Sequence, residues 1–466
     1  MSDSSDDNME CDSCTDLVIR KYPSYVVFDG RINRIAYDRI AYQIHVKFNT
    51  ISFGNKVYLY QNGIYVLDKG EIGQEIKYMI DQARQVGINC NALKHPKSEV
   101  LENLLSEGLF VEYPFNQYKG LIPVENGVIS VDFDNKTVRL IDYEPQFMFT
   151  YKLPVIYDPD ADDSFIEQVI YDWLGEQGFI VPQIIGQVFL QMQGNVYKKS
   201  YLFLGDGNAG KSTCIDLLDS FFGDSLISKV SIGQLVGSPF ATSSLEGKAL
   251  NLSDDASSIQ LKQSEKFKEL TGTSRHDINR KYCRPYVGIA NPVYIMACNK
   301  PPSLDRRNID YQFLDRWIIL EFQGVFSVNP RFKHDLFTEK NKSALLNLAI
   351  SSMISIYHSG LREIERDETN EILWLMRYTP LYREFVSKYM VKDSTGSINK
   401  DILYEVYRAV CQQIGWRCWD KPVFYKDLTR FGIESDRISI DGRRVYVIKG
   451  WVLNDQAVSD LTDQLL

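Results

Sequence analysis

Residues 199–223 read KSYLFLGDGNAGKSTCIDLLDSFFG. The apolar run Tyr201–Leu204 leads into Gly205-Asp206-Gly207-Asn208-Ala209-Gly210-Lys211-Ser212-Thr213, and the stretch CIDLLDSFF follows with helical periodicity. Gly-x4-Gly-Lys-Ser between a buried strand and a helix predicts a phosphate-binding loop. Glycines let successive backbone N–H groups curl around phosphates at a helix N-terminus. The nine residues Gly205–Thr213 are the expected binding loop. Lys211 is expected to reach the β and γ phosphates, and the Ser212 hydroxyl to hold Mg²⁺.

Moving outward, KALNLSDDASS (248–258) offers a short apolar strand, Ala249–Leu252, followed by Asp254 and Asp255. In that position one carboxylate, Asp254, can complete the Mg²⁺ shell with Ser212, and Asp255 can polarise an attacking water. PVYIMACNKPP (292–302) is a third apolar strand ending in Asn299, where ligands bind in parallel sheets. Asn299 can sense a γ-phosphate or position water; the plainer alternative is a strand-ending Asn that opens a Pro turn. RRNIDYQFLDRWIILEF (306–322) then sets Arg316 just before the strand Trp317–Leu320. An arginine there can act on a nucleotide held by a neighbouring subunit, with Arg306 and Arg307 as rivals, or simply pair with Asp310 or Asp315. Strands and helices alternate from Ser200 to about Gly360, the pattern of an α/β core.

Upstream, KVYLYQNGIYVLDKG (56–70) predicts two strands about an Asn62-Gly63 turn, and Ile72, Ile76, Met79 and Ile80 lie at helical spacing. LIPVENGVISVDFDNKTVRLIDY (121–143) predicts further strands with turns at Asn126-Gly127 and Asp134-Asn135. Two helices are expected over residues 164–194, and INKDILYEVYRAVCQQIG (398–415), VFYKDLTRFG (423–432) and RISIDGRRVYVIKGW (437–451) read as helix, helix and hairpin. The division expected is an acidic disordered tail (1–22), an α/β region (23–160), an ATPase domain (161–365), a linker (366–380), a winged-helix domain (381–455) and an acidic tail (456–466).

The chain has 466 residues and a net charge of −9, with 44% hydrophobic residues, so it can bury real cores. Six acids and no base occupy residues 1–16, and three acids and no base the last sixteen residues. The body between them is neutral, so the acidic balance does not exclude a nucleic-acid partner. No run approaches a membrane span and no signal pattern opens the chain, which predicts an intracellular location without membrane contact. The eight Cys are scattered and read as reduced thiols; Cys11-x2-Cys14 is at best half of a zinc site.

The order of phosphate loop, acidic pair, Asn after a strand and Arg before a strand resembles superfamily 3 helicases. These are AAA+ ring helicases of viruses, plasmids and phage satellites, and the poxvirus primase-helicase type is the nearest in pattern. VENGVISVDF…LPVIYDPDAD (124–162) is similar to the segment that precedes the ATPase in that family, FKELTGTSRHDINRKY (267–282) to its motif between the acidic and Asn strands, and 381–452 to its winged helix. Two departures are Asp255, where the family usually has Glu, and Asp315-Arg316, where it often has Arg-Arg. The stretch 23–115 lacks a primase-like acid cluster, so the chain resembles the helicase half alone.

The resemblance implies an α/β fold: an AAA+ P-loop ATPase core, an α/β N-terminal region and a C-terminal winged-helix domain. It implies ATP hydrolysis with Mg²⁺ by a homo-hexamer, with Lys211, Asp254, Asp255 and Asn299 acting from one subunit and Arg316 from the next. The expected partners are single-stranded and forked DNA, and a separate primase or polymerase. Between Lys262 and Arg284 seven bases face three acids, and the resemblance turns this insertion into a pore hairpin. Lys268, His276, Arg280 and Lys281 are then expected to track phosphates, with Tyr282 stacking or packing. Lys426, Arg430, Arg443 and Arg444 are expected on duplex DNA, unless the last domain docks protein instead. The function expected is replicative DNA unwinding. The alternative is an origin-binding or loader ATPase that does not unwind; a small-molecule kinase fits neither the Asn strand nor the C-terminal unit.

Overall fold

The computed structural model describes residues 22–28, 33–88, 94–106, 109–110, 113–238, 240–254, 260–261, 265–272, 275–279, 286–299, 303–304, 311–327, 329–365, 385–413, 418–440 and 443–454. The chain divides into two compact units, Met1–Pro159 and Asp160–Leu466.

In the first unit β1 (Val26–Phe28) pairs with β2 (Asn33–Ile35), and β3 (Ile51–Phe53), β4 (Lys56–Gln61) and β5 (Ile64–Leu67) form an antiparallel sheet. The β4–β5 turn uses Asn62 at φ 50° and Gly63 at φ 89°, the positive pair that a two-residue hairpin demands. One face of that sheet packs Val57 and Leu59 onto the helices Tyr37–Phe48 and Glu71–Gln85, where Ile72, Ile76, Met79 and Ile80 are buried as their spacing predicts. The opposite face carries Tyr58, Tyr60 and Tyr65 against Phe115. A second antiparallel sheet follows: β6 (Leu121–Val124), β7 (Gly127–Asp132) and β8 (Thr137–Ile141). Its first turn is tied to the end of the unit. Asn126 Nδ2 donates to the Tyr157 carbonyl and Asn126 Oδ1 accepts from the Tyr157 N–H, both at 2.9 Å.

The second unit is built on five parallel strands in the order β10-β11-β15-β9-β17: β9 (Ser200–Leu204), β10 (Ile227–Ser228), β11 (Leu250–Ser253), β15 (Val293–Cys298) and β17 (Trp317–Glu321). Every residue of β9, β11 and β15 is buried: β9 and β15 are near-continuous apolar runs, as a sheet covered on both faces dictates, while in β11 the buried Asn251 is bonded to Ser228 and the Val230 backbone. The sequence reading is off by one residue at β11, which runs to Ser253. Between β11 and β15 lie β12 (Gln260–Leu261), the helix Glu265–Gly272 and the antiparallel pair β13 (Arg275–Ile278) with β14 (Tyr286–Ile289); β12 pairs in parallel with β16 (Ser303–Leu304), which follows β15. Phe267 stacks on Trp317, ring centroids 4.8 Å apart at 7°, and so fixes this insertion to the sheet.

The helix Ile180–Met192 is buried almost throughout, including Gln183, Gln187 and Gln191. Tyr201 donates its hydroxyl to Gln187 Oε1 at 2.7 Å, Gln191 Nε2 donates to the Asn291 carbonyl at 3.0 Å, and Gln183 exchanges two bonds with the Arg362 backbone. This helix crosses the helix Glu339–Ser359 so closely that a Cβ on Gly186 would lie 2.7 Å from the Met353 nitrogen.

The C-terminal part sets the helices Lys400–Gln413 and Lys421–Arg430 on the antiparallel sheet β18-β20-β19, with β18 (Met390–Asn399), β19 (Ser435–Ile440) and β20 (Arg443–Leu453). Its own core stacks Tyr407 on Phe424 at 4.3 Å. The expected helix start at Ile398 is corrected: Ile398 and Asn399 close β18, and Asn399 Oδ1 accepts from the Asp401 N–H at 2.7 Å as an N-cap. No helix among the described residues is long and apolar enough to cross a membrane.

Candidate nucleotide site

The loop Gly205–Gly210 joins β9 to the helix Lys211–Phe222 at the C-terminal edge of the sheet. Gly210 caps that helix at φ 94°, and a Cβ there would come within 2.5 Å of the Trp173 ring, so both backbone and packing require glycine. Asn208 is left-handed at φ 62°. Asp206, Gly207 and Asn208 are exposed at the rim, while Ala209 is buried beneath them.

The Lys211 side chain is buried and turns back over the loop. Its ammonium donates to the carbonyls of Gly205 at 2.8 Å and Asp206 at 2.7 Å, and to Asn299 Oδ1 at 3.0 Å. Burial holds its pKa below the ordinary lysine value, against the opposing pull of Cys298, Asp254 and Asp206. Beside it the Ser212 hydroxyl donates to Asp254 Oδ2 at 3.1 Å. Three adjacent parallel strands, β11, β15 and β9, thus deliver Asp254, Asn299 and the Lys211–Ser212 pair to one edge. A hydroxyl and a carboxylate oxygen side by side are the donor set a hard divalent cation such as Mg²⁺ takes. Thr213, the last expected loop residue, is half-buried in the first helical turn.

Residues 91–175 match a family described as D5 N terminal like, and residues 203–312 match a family of unknown function, DUF5906. Two solved structures of the NrS-1 C terminal region are also similar. The A form apo structure is 12% identical, covers 88% of this chain and 98% of its own, and has a TM-score of 0.47. A second apo structure of the region is 13% identical over the same shares, with a TM-score of 0.45. No curated protein matches this chain.

Arg316 stands apart from Lys211, Asp254 and Asn299. The register pairs Trp317 with Ser200 and Glu321 with Leu204, and the Arg316 carbonyl accepts from the Ser200 N–H at 2.6 Å. Arg316 therefore lies a full strand length, about 16 Å, from the loop edge. Its Nε and Nη1 are buried, and Nη2 lies 4.0 Å from where a Gly272 Cβ would be.

Of the expected DNA contacts, Lys268 is half-buried on the helix Glu265–Gly272, and neighbouring Lys266 pairs with Glu269 at 3.2 Å. The strands β13 and β14 are the two arms of a hairpin whose connection carries Arg280 and Lys281. One expectation is corrected here. His276 faces inward, 4% exposed, because alternation along β13 turns Arg275 and Asp277 outward and His276 and Ile278 inward, so His276 cannot track phosphates. Lys426 and Arg444 are exposed, on the helix Lys421–Arg430 and on β20. Asp255, Arg280, Lys281, Tyr282, Arg306, Arg307, Cys11 and Cys14, and the side chains of Arg430 and Arg443, lie outside the described residues.

The sequence reading missed the segment after β17. The Phe326 N–H donates to the Asn208 carbonyl at 3.0 Å and the Phe322 N–H to the Leu204 carbonyl at 2.8 Å, so this segment walls one side of the loop. Its only sequence signal is the apolar pair Val325-Phe326 in an otherwise polar connection.

Proposed function

We propose that the protein is an ATP-dependent replicative DNA helicase of a virus, plasmid or other mobile element, working as a hexameric ring on single-stranded DNA. The observation that carries this reading is the double junction at the sheet edge, Lys211 to Asn299 and Ser212 to Asp254, at the ends of three adjacent parallel strands. Phosphates cradled by the loop meet a cation at Lys211 and an amide at Asn299. Ser212 and Asp254 would hold Mg²⁺, which neutralises charge on the β and γ oxygens when bound. The strand order, with the loop strand between the Asn strand and the Arg316 strand, supports an AAA+ core.

Arg316 lies too far from the loop to serve its own subunit's nucleotide, so the reading gives it a role toward a neighbour's site. The β13–β14 hairpin is the element that would present Arg280 and Lys281 to a strand in the pore, with Lys268 at its base. The three-stranded C-terminal sheet with two helices supports a winged helix, and Lys426, Arg430, Arg443 and Arg444 are its proposed duplex contacts. ATPase rates with and without single-stranded DNA, measured beside the mass of the assembly, test the reading. Stimulation by DNA in a six-fold assembly is expected; a DNA-indifferent monomeric ATPase overturns it.

A further inference from the structure

The sheet order orients any nucleotide held by the loop. The loop strand β9 lies between β15 and β17. Lys211 Nζ on Asn299 and Ser212 Oγ on Asp254 mark the β15 and β11 side as the end where terminal phosphate and metal are handled. With its phosphates running through the loop, the nucleoside leaves on the opposite flank, over the end of β17.

That flank is built from one short segment and one helix residue. A Cβ on Gly205 would lie 2.5 Å from the Phe322 carbonyl oxygen, so Phe322 abuts the start of the loop. Trp173 closes against Gly210 from below, and its carbonyl accepts from the Gln323 N–H at 3.4 Å. The Phe326 N–H holds the left-handed Asn208 by its carbonyl, and the Phe326 ring folds back onto Gly324, where no side chain would fit. The ring is nonetheless 37% exposed and Val325 is 84% exposed. Two exposed apolar side chains, fixed by a backbone bond to the rim of the loop, are a hydrophobic surface on the flank opposite Asn299 and Asp254.

We infer that Val325 and Phe326 form the nucleobase subsite, with the Phe326 ring packing on a purine base and Val325 covering its edge. The inference rests on the ATP-binding reading of the loop and deepens it. Stacking on an aromatic face tolerates any base but favours the larger purine, so affinity for ATP and GTP is expected to exceed that for CTP and UTP.

The test is equilibrium binding of Mg·ATP and Mg·tripolyphosphate to the full chain and to Phe326→Ala, Phe326→Trp and Lys211→Ala. Phe326→Ala is expected to lose about tenfold in ATP affinity with tripolyphosphate unchanged, and Phe326→Trp to keep both. Unchanged ATP affinity in Phe326→Ala overturns the subsite. So does an equal loss of ATP and tripolyphosphate, since that would make Phe326 a prop for the Asn208 turn. Lys211→Ala is expected to weaken both ligands alike; if it binds both as tightly as the wild-type chain, the phosphate-loop reading fails, and the subsite falls with it.

Discussion

The Lys211 ammonium donates to Asn299 Oδ1 at 3.0 Å, across the gap between the first turn after β9 and the end of β15. On the proposed reading, the cation that meets phosphate and the amide that senses it are coupled before any substrate arrives. Replacing Asn299 by Ala is expected to leave ATP affinity within a few-fold and to lower kcat by about 10–100-fold, because the lost contact acts on the reacting phosphate or its water. Steady-state ATPase kinetics beside equilibrium ATP binding check the split; a loss confined to affinity would assign Asn299 to plain binding.

Burial lowers the Lys211 pKa, and the sign of the consequence is fixed. The charged form is disfavoured in the folded chain, so its folding penalty is complete below the folded pKa and relaxes as pH rises toward the unfolded value. Phosphate binding needs the charged form, so ATP affinity is expected to fall at alkaline pH, beginning below the ordinary lysine range. Lys211→Ala should bind more weakly and lack that alkaline limb. Dissociation constants measured across the alkaline range in both proteins decide it.

Gly210→Ala is expected to cost about 1–3 kcal/mol in loop strain alone, with the Trp173 clash added. Nucleotide binding should disappear while the first unit unfolds as before. Differential scanning calorimetry with and without Mg·ATP reads both effects.

Asn126→Ala removes the two bonds to Tyr157 from an exposed turn, an expected loss of about 1–2 kcal/mol. The transition of the first unit should move down with ATPase activity unchanged. A drop in activity without a thermal shift would contradict the structural role.

Most of the fold is legible wherever local chemistry decides it. The Asn62-Gly63 and Asn126-Gly127 turns dictate their hairpins, the glycine-rich loop announces itself by spacing, and β15 and Tyr201–Leu204 of β9 are continuous in apolar residues. Two elements are not legible for physical reasons. β18, MVKDSTGSIN, has no apolar alternation and is a strand because β20 pairs with it. Gln183, Gln187 and Gln191 look like a solvent stripe, yet each is buried with partners on other elements. In the candidate site, residue types and order were readable, but a charge count over 262–284 could not reveal that His276 faces inward. Nor could order along the chain reveal that Arg316 lies at the far edge of the sheet from Lys211.

That separation makes a prediction of its own. If Arg316 serves a neighbour, Lys211→Ala and Arg316→Ala chains are each inactive alone, while mixing them creates interfaces with an intact Lys211 facing an intact Arg316. Partial recovery of ATPase activity on mixing is expected. No recovery in assemblies shown to contain both chains would remove the role in trans.

Displacement of a labelled strand from a forked duplex reads ATP-driven strand separation itself, with Lys211→Ala as the control. The wild-type chain is expected to unwind the fork only with Mg·ATP, and Lys211→Ala to bind it without unwinding. Wild-type protein that hydrolyses ATP and holds duplex DNA tightly, yet displaces no strand, would contradict the account and favour an origin-binding or loader ATPase.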